Sequence, residues 1–372
     1  MYGIWTWSDR MPTGFPVSSA QNSGNMVHSR APVEMFPNSV TSDVYGFKSD
    51  GFNSFIDFVN ERCEAVIVPM ANTIRLGEDK DARAPGTAKS LSRFKVPIVI
   101  FGLGAQAPTT NIDDFELGPG MTELIRFLSE NAAAISVRGE FTRQVFEKYG
   151  STDRVFTTGC PSFYSHPEAF QFLKDRLERG VAPRRAAFSG TQHQKRGPQR
   201  QLHRALDEDL FLIEPVNAQL HKFYLDCVAD EQGATPPSFL TSILDREGWD
   251  LARLQSYMVR RYRLFRDMDS WLEFNRESVD GTIGTRFHVN MASLLSGVPA
   301  KWIVHDSRTQ ELCQRLSLPH VSEHELGNLP YREHLARANF EPLFASLTDN
   351  FNYFNEFLRA GGLPQISVPT VV

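Results

Sequence analysis

The sequence predicts an α/β protein with two lobes, each built on a parallel sheet. Short apolar runs of strand length alternate with longer segments of helical period, the pattern of a parallel sheet with helices on its faces. The chain has 372 residues, enough for about two domains. Residues 181–204 carry six Lys or Arg, two Pro and no acid, so we place the domain boundary there. We predict an N-terminal lobe at 1–182, a C-terminal lobe at 183–340 and a closing helix at 341–372, with a cleft between the lobes.

Five strands and three helices are predicted in the N-terminal lobe. The strands are short apolar runs, and the helices carry apolar residues at helical spacing. Gly150 follows the last helix and is predicted to end it, because glycine suits the conformation common after helix ends. The predicted strands are Gly3–Trp7, Ala65–Met70, Pro97–Gly102, Ala133–Val137 and Arg154–Thr158, and the helices are Phe52–Arg62, Met121–Asn131 and Glu140–Tyr149.

Four strands and several helices are predicted after the boundary. The basic stretch 181–204 is interpreted mainly as a linker and surface loop, with anion binding as the alternative. Aromatic residues at helical spacing near the C-terminus predict a closing helix packed on the body. The predicted strands are Ala186–Ser189, Leu210–Glu214, Val279–Ile283 and Lys301–Val304, a mostly helical section runs to Phe265, and the later helices are Thr285–Ser296, Ser307–Leu316 and the segment with Phe344, Phe351, Phe354 and Phe357.

Composition and charge exclude several classes of protein. A net charge of −5 gives no overall positive field for nucleic acid or an anionic membrane. The four cysteines form no CxxC pair, which argues against a structural zinc site and a disulfide framework and fits a reducing cytoplasm. The longest apolar runs, Ala65–Ala71 and Val96–Ala107, are too short to span a membrane, and MYGIWTWSDR does not resemble a secretory signal.

An arginine follows three of the predicted strands. Arg138 stands just before a helix, Arg286 stands in the first turn after Thr285 as the expected N-cap, and Arg308 follows an Asp-Ser cap. Helix starts favour anions, and a guanidinium adds a fixed charge and a two-pronged donor. His288 shares the first turn with Arg286. One such arginine is usually a surface charge or a partner for a carboxylate, but three equivalent ones predict an anion site.

Two glycine-containing loops are predicted to line the cleft. FGLGAQ lacks the third glycine of a dinucleotide-binding fingerprint, so its backbone is expected to face the ligand. NSGN offers a tight turn into a helix. The chain has no HExxH, GxSxG or Walker A motif, and no spacing that argues for a metal. The predicted cleft-lining residues are Asn22, Gly24, Asn25, Gly104 and Gln106.

Taken in chain order, these motifs resemble the polysaccharide pyruvyl transferase family over residues 22–320. The segments are NSGN, FGLGAQ, ISVRGEFT, TTGCPSF, GTRFHVNMASLLSGVPA and HDSR. The resemblance implies two Rossmann-like lobes of the GT-B kind and transfer of a pyruvyl group from phosphoenolpyruvate to a sugar, which forms a ketal and releases phosphate. It also implies a cytoplasmic role in making an exopolysaccharide or cell-wall glycan. Phosphoenolpyruvate would be the co-substrate, without a cofactor or metal, and the acceptor would be a saccharide or lipid-linked glycan. Self-association into a homo-oligomer is kept as an option.

The same resemblance assigns roles to residues of the three arginine junctions. Arg138, Arg286 and His288 would form the catalytic set, with His288 as general acid or as proton donor to the departing phosphate. These three, the Phe287 backbone and Arg308 would bind the donor. Arg308 stands where the family commonly has Lys, and Asn25 stands where Asp is usual.

Two other functions remain open from the sequence. A nucleotide-sugar glycosyltransferase would place a diphosphate at the same helix start. A non-catalytic saccharide-binding relative would use the arginines to bind an anionic polymer or to pair with carboxylates.

Overall fold

Two six-stranded sheets form the framework of the protein in a computed structural model, which describes residues 1–6, 22–42, 47–49, 51–107, 111–229 and 233–371. The first half contains β1 (Tyr2–Ile4), α1 (Gly24–Met35), β2 (Ser39–Thr41), α2 (Phe55–Arg62), β3 (Ala65–Pro69), β4 (Ile74–Arg75), α3 (Glu78–Leu91), β5 (Ile98–Leu103), β6 (Ala105–Gln106), α4 (Pro119–Asn131), β7 (Ala132–Val137), α5 (Glu140–Tyr149), β8 (Val155–Thr157) and α6 (Ala169–Glu178).

The second half continues the alternation of strand and helix. It contains β9 (Ala186–Ser189), α7 (Arg196–Asp207), β10 (Phe211–Ile213), α8 (Ala218–Val228), α9 (Ser238–Thr241), α10 (Leu251–Arg261), β11 (Tyr262–Arg263), α11 (Met268–Ser278), β12 (Gly281–Gly284), α12 (Phe287–Leu294), β13 (Ala300–Val304), α13 (Ser307–Arg315), β14 (His320–Ser322), α14 (Tyr331–Ala336) and α15 (Glu341–Ala360).

The parallel strands place the site-bearing junctions at the carboxyl ends of the two sheets. The first sheet runs β2-β1-β3-β5-β7-β8 and the second β11-β10-β9-β12-β13-β14, while β4 and β6 form a separate pair. Every pairing among the described strands is parallel. The carboxyl ends of each sheet's strands therefore share one edge, where open α/β sheets bind ligands. The predicted α/β class with two parallel-sheet lobes is confirmed.

The predicted strands match the observed central strands of both sheets. The predictions differ from the structure at the ends of elements, at short edge strands and at one polar helix. The first strand ends at Ile4, and Trp7 of the predicted strand lies outside the described residues. Strands β2 and β14 were not predicted, because three-residue strands are too short for a periodic signal. Helix α3 was also missed, since its polar sequence includes Pro85 and Gly86.

The basic stretch is largely regular structure, which corrects its interpretation as a linker and loop. Residues 186–189 form a strand, as predicted, and Arg196–Asp207 forms α7. The helix buries one side that includes Leu202 and Leu206, while its arginines follow the outer face. Between the strand and the helix, His193 is buried. The high charge of this segment therefore belongs to an amphipathic helix.

The C-terminal helix completes the core of the first lobe. In α15, Phe354 and Phe357 lie 6.0 and 5.2 Å from Phe101 of β5, measured between ring centroids. Phe354 also stacks on Tyr164 at 4.0 Å. The closing helix expected at 341–372 is observed as Glu341–Ala360, and residues 361–371 are not helical. None of the helices in the described part of the chain is both long and apolar enough to cross a membrane.

Candidate active site

The three arginines lie where strands meet helices. Arg138 stands between β7 and α5, and Arg308 is the second residue of α13, whose N-cap is Asp306. The helix predicted at Thr285–Ser296 begins instead at Phe287, and its N-cap is Arg286 and not Thr285. Arg286 has extended backbone angles (φ −81°, ψ 102°), and the Thr285 hydroxyl donates to Thr191 Oγ1 at 3.2 Å instead of capping the helix.

One cavity of about 430 Å³ brings residues of both sheets together. Residues expected from the sequence supply eight of its lining positions: Asn22, Gly24, Asn25, Arg138, Arg286, Phe287, His288 and Arg308. Gly104 and Gln106 do not line it. Gly104 lies behind Arg138, since a Cβ there would come within 2.8 Å of Arg138 Cδ. Gln106 is exposed and pairs in register with Arg75.

The N-terminal loop crosses to the second lobe beside this cavity. Asn22 Oδ1 accepts a hydrogen bond from Gly24 N at 2.9 Å, which closes the turn that starts α1. Ser23 N donates to the carbonyl oxygen of Pro215 at 3.0 Å. A Cβ on Gly24 would lie 3.7 Å from His288 Cβ. The NSGN turn thus closes the cavity next to the predicted catalytic histidine.

Arg138 is buried and has one donor nitrogen left over. Its Nε donates to the Gly102 carbonyl at 2.9 Å and its Nη1 donates to Asn72 Oδ1 at 2.7 Å. Nη2 is buried without a partner in the described structure. Burial lowers the pKa of Arg138 to about 10, so it stays charged at neutral pH. A buried N–H without an acceptor at the cavity is a donor ready for an anion.

Arg286 is oriented by a buried carboxylate. Its Nε donates to the Gly190 carbonyl at 3.0 Å, and its Nη2 lies 3.5 Å from Glu214 Oε1. Glu214 is fully buried and also contacts His193 Nε2 at 3.2 Å. Burial favours protonation of Glu214, but the Arg286 guanidinium and His193 outweigh it and lower the pKa of the carboxyl. Glu214 is therefore ionised and holds the guanidinium at the cavity wall.

Arg308 and Arg75 add positive charge to the same wall. Arg308 Nη2 donates to Asp306 Oδ2 at 3.1 Å, while Asp306 Oδ1 caps α13 by accepting from Thr309 N. Burial and the nearby Arg308 charge lower the pKa of Arg75. The chain thus places four guanidinium groups around one cavity, two of them with acidic neighbours. Sequence patterns gave no sign of Arg75, which lies in the two-residue strand β4.

His288 lies in a cluster with two other reactive side chains. Its Nε2 is 3.4 Å from Cys160 Sγ, which is itself 3.9 Å from His28 Nδ1 and 3.0 Å from Ser162 Oγ. Burial, and then the Arg138 guanidinium, hold the pKa of both histidines well below the usual 6.5. Both rings are therefore neutral at pH 7 in the free protein. Cys160 and His28 were not predicted as site residues, although Cys160 lies in the GCPS segment.

The same three side chains are the residues here that could hold a metal. The ligand atoms of His28, Cys160 and His288 all lie within 4.8 Å of one another. Cysteine and histidine are the ligands that Zn²⁺ prefers. The Arg138 guanidinium is close enough to lower the pKa of both histidines, and such a charge also repels a dication.

A family model for polysaccharide pyruvyl transferase matches residues 36–307. The chain belongs to the polysaccharide pyruvyl transferase family. The matched region includes Arg138, Arg286 and His288, while the Asn22–Asn25 turn and Arg308 lie outside it. Membership assigns the protein in general terms to pyruvyl transfer in polysaccharide synthesis, and makes it a transferase.

Two solved structures follow a chain path similar to that of this protein. A UDP-N-acetylglucosamine 2-epimerase from Listeria monocytogenes has 12% identity and a TM-score of 0.45, covering 100% of this chain and 99% of its own. HepE from Anabaena in complex with UDP-glucose has 10% identity and a TM-score of 0.45, with 97% and 98% covered. Likenesses this distant say nothing about shared substrates. No curated protein sequence matches the chain significantly.

Proposed function

We propose that the protein transfers a pyruvyl group from phosphoenolpyruvate to two hydroxyls of a saccharide or lipid-linked glycan, forming a ketal and releasing phosphate. The product would belong to an exopolysaccharide or a cell-wall polymer. The observation that carries the donor assignment is the convergence of Arg138, Arg286 and Arg308 with His288 on one cavity of about 430 Å³.

The charges of this donor suit the cavity. Phosphoenolpyruvate carries a phosphate and a carboxylate close together, and both accept paired hydrogen bonds from guanidinium groups. Arg138 offers its unpartnered Nη2 from the first lobe, and Arg286 and Arg308 lie on the second. The start of α12 adds backbone N–H groups beside Phe287, which favour an anion there. A small dianion or trianion would therefore be held from both sides.

The proposed reaction begins with protonation of the donor's methylene carbon. This makes C2 electrophilic, and one sugar hydroxyl adds to it with loss of its proton. Phosphate then leaves with the C–O bond electrons, and a second hydroxyl adds to the resulting oxocarbenium ion. One hydroxyl proton replaces the proton given to carbon and the other leaves with phosphate, so the protein ends as it began.

His288 is the group proposed to handle the first proton. In the free protein its ring is neutral, because burial and the charge of Arg138 lower its pKa. A bound phosphate ester brings negative charge that offsets these guanidinium groups and raises the pKa of the imidazole. The histidine would therefore take part in proton transfer only when the donor is in place.

Substitution of His288 tests this function. We expect His288→Gln to lower kcat by about 10²- to 10⁴-fold, while the Kd for phosphoenolpyruvate changes by only a few-fold. Product is measured as released phosphate together with the mass of the ketal on a diol-containing saccharide. His320→Gln, at an exposed position outside the cavity, is the matched control and should retain full activity.

Two results would point to the other functions. Release of nucleotide from a nucleotide sugar, with no consumption of phosphoenolpyruvate, would identify a glycosyltransferase. Saccharide binding without turnover, with affinity unchanged by Arg286→Ala, would identify a binding protein. For the proposed function, Arg286→Ala should weaken phosphoenolpyruvate binding at least about 10-fold, since it removes a charge-assisted donor.

A further inference from the structure

Cys160 lies among hydrogen-bonding groups that the proposed reaction leaves unexplained. The thiol is completely buried, yet three polar side-chain atoms surround its sulfur: Ser162 Oγ at 3.0 Å, His288 Nε2 at 3.4 Å and His28 Nδ1 at 3.9 Å. A structural cysteine normally packs as a small apolar group. This sulfur is instead placed to exchange hydrogen bonds.

The ring of His288 connects this sulfur to the cavity. Its Nε2 faces Cys160, and Nδ1 has no protein partner among the described residues, while His288 lines the cavity wall. Cys160 lies 128 residues away in sequence and does not line the cavity itself, so the ring of His288 stands between its sulfur and the cavity. The two nitrogens of one imidazole therefore serve two different neighbours, the thiol on one side and a ligand on the other.

The chemistry of the two groups favours one direction for their hydrogen bond. A neutral imidazole nitrogen is a good acceptor, whereas thiol sulfur is a poor acceptor and carries one proton to donate. The charges facing His288 are those of Arg138, Arg308 and, when protonated, His28, and they favour the neutral ring. The thiol then donates to Nε2, which leaves the ring proton on Nδ1, toward the cavity.

We propose that Cys160 is a positioning residue and proton reservoir for His288. This inference rests on the proposed function. As Nδ1–H passes its proton to the methylene carbon of the donor, the thiol proton moves to Nε2 and leaves a thiolate. When the sugar hydroxyl adds, its proton returns to Nδ1 and the Nε2 proton returns to sulfur. No electrons are transferred, and the pair is restored after each turnover.

The surroundings of the sulfur suit the thiolate formed in this relay. The Ser162 hydroxyl can donate to sulfur, since its oxygen has no other partner among the described residues. His28 presents Nδ1 to the same sulfur, and the Arg138 charge acts on it from the cavity side. Donors and a nearby cation stabilise a thiolate.

The tautomer of His288 tests the relay without any turnover. Long-range proton–nitrogen NMR of protein with ¹⁵N-labelled histidine, assigned with His288→Gln, should show His288 protonated on Nδ1 at pH 7. Cys160→Ala should shift it to the Nε2-protonated form, and Cys160→Ser should retain Nδ1. Cys227→Ser, on α8, is the matched control and should change nothing. An Nε2-protonated ring in the wild type, or no change in Cys160→Ala, overturns the inference.

Turnover gives the second readout. Cys160→Ala and Cys160→Ser should both lower kcat at least about 10-fold, because serine keeps the hydrogen bond but gives up its proton far less readily. The Kd for phosphoenolpyruvate should change less than 3-fold, and circular dichroism checks folding. If no acceptor yields a ketal, the proposed function is wrong. The tautomer measurement still shows whether the Cys160 thiol donates its proton to His288 Nε2. Stoichiometric zinc in the purified wild type, lost in Cys160→Ala, would show that these residues form a metal site and would overturn the proposed relay.

Discussion

Glu214 and Arg286 form an ion pair in which the acid is fully buried and the base reaches the cavity. Glu214 Oε1 lies 3.5 Å from Arg286 Nη2, and the arginine side chain keeps 22% of its exposure. The carboxylate also accepts from Val216 N at 3.1 Å. The acid therefore sets the direction of the guanidinium from beneath, while the outer face of the guanidinium stays free for a ligand.

Glu214→Gln should lower the free energy of unfolding at neutral pH. It should also reduce how much of that free energy is lost when the pH falls. The folded-state pKa of Glu214 is below that of the unfolded chain, so its contribution is present above about pH 4.5 and is lost as pH falls through the folded value. Removing one partner of a buried pair costs about 3–5 kcal/mol. Urea unfolding at pH 7 and pH 4 measures both effects. Glu130→Gln, exposed on α4, is the control, and equal acid sensitivity of wild type and Glu214→Gln would contradict the prediction.

Arg308→Lys should retain most donor binding, whereas Arg308→Ala should not. Lysine keeps the positive charge near Asp306 but loses the forked donor. We expect the Kd for phosphoenolpyruvate to rise about 3-fold for Lys and at least about 10-fold for Ala. Calorimetric titration checks this, with Arg126→Ala on the exposed side of α4 as control. An equal loss in both variants would mean that geometry, and not charge, dominates at this position.

Gly104→Ala should weaken donor binding by displacing Arg138. The added Cβ would lie 2.8 Å from Arg138 Cδ and 3.1 Å from Asn72 Oδ1, so the guanidinium must shift. We expect about a 10-fold rise in the Kd for phosphoenolpyruvate, as for a displaced charge-assisted donor. Gly86→Ala, in α3 with open space around it, is the control and should raise stability by up to about 1 kcal/mol. Unchanged binding by Gly104→Ala would show that Arg138 does not touch the donor.

Glu311→Gln should remove part of the pH dependence of stability. Glu311 on α13 accepts from Phe141 N at 2.5 Å, at the start of α5 in the other lobe. Burial raises its pKa to about 7 from 4.5, so its ionisation opposes folding: the cost is absent below pH 4.5 and complete above about pH 7. We therefore expect the Tm to fall less between pH 5 and pH 8 in Glu311→Gln than in the wild type. Parallel curves measured by scanning calorimetry would refute this.

The sequence was informative where local pattern decides structure. Apolar runs such as residues 65–69 and 98–103 are strands, because each lies in the middle of a sheet and is buried on both faces. The edge strands β2 and β14 have three residues each and partial exposure, so their pairing depends on neighbours that the local sequence does not reveal.

The candidate site was predictable only in part, for a related reason. Arg138, Arg286 and Arg308 follow strands, and parallel topology brings strand ends together. The contact of the Thr285 hydroxyl with Thr191, just before the start of α12, joins residues 94 apart. The Cys160–His288 contact likewise depends on the packing of the two lobes. Neither leaves a periodic signal in the sequence.

The position of α15 has a consequence for how the protein is made. Phe101 and Phe156 of the first sheet are covered by Phe357, at 5.2 and 5.8 Å between rings, and Phe357 follows both residues far along the chain. During synthesis this aromatic surface of the first sheet stays uncovered until α15 has emerged. Deletion of α15 should therefore expose this aromatic surface and yield aggregates instead of a separately stable lobe.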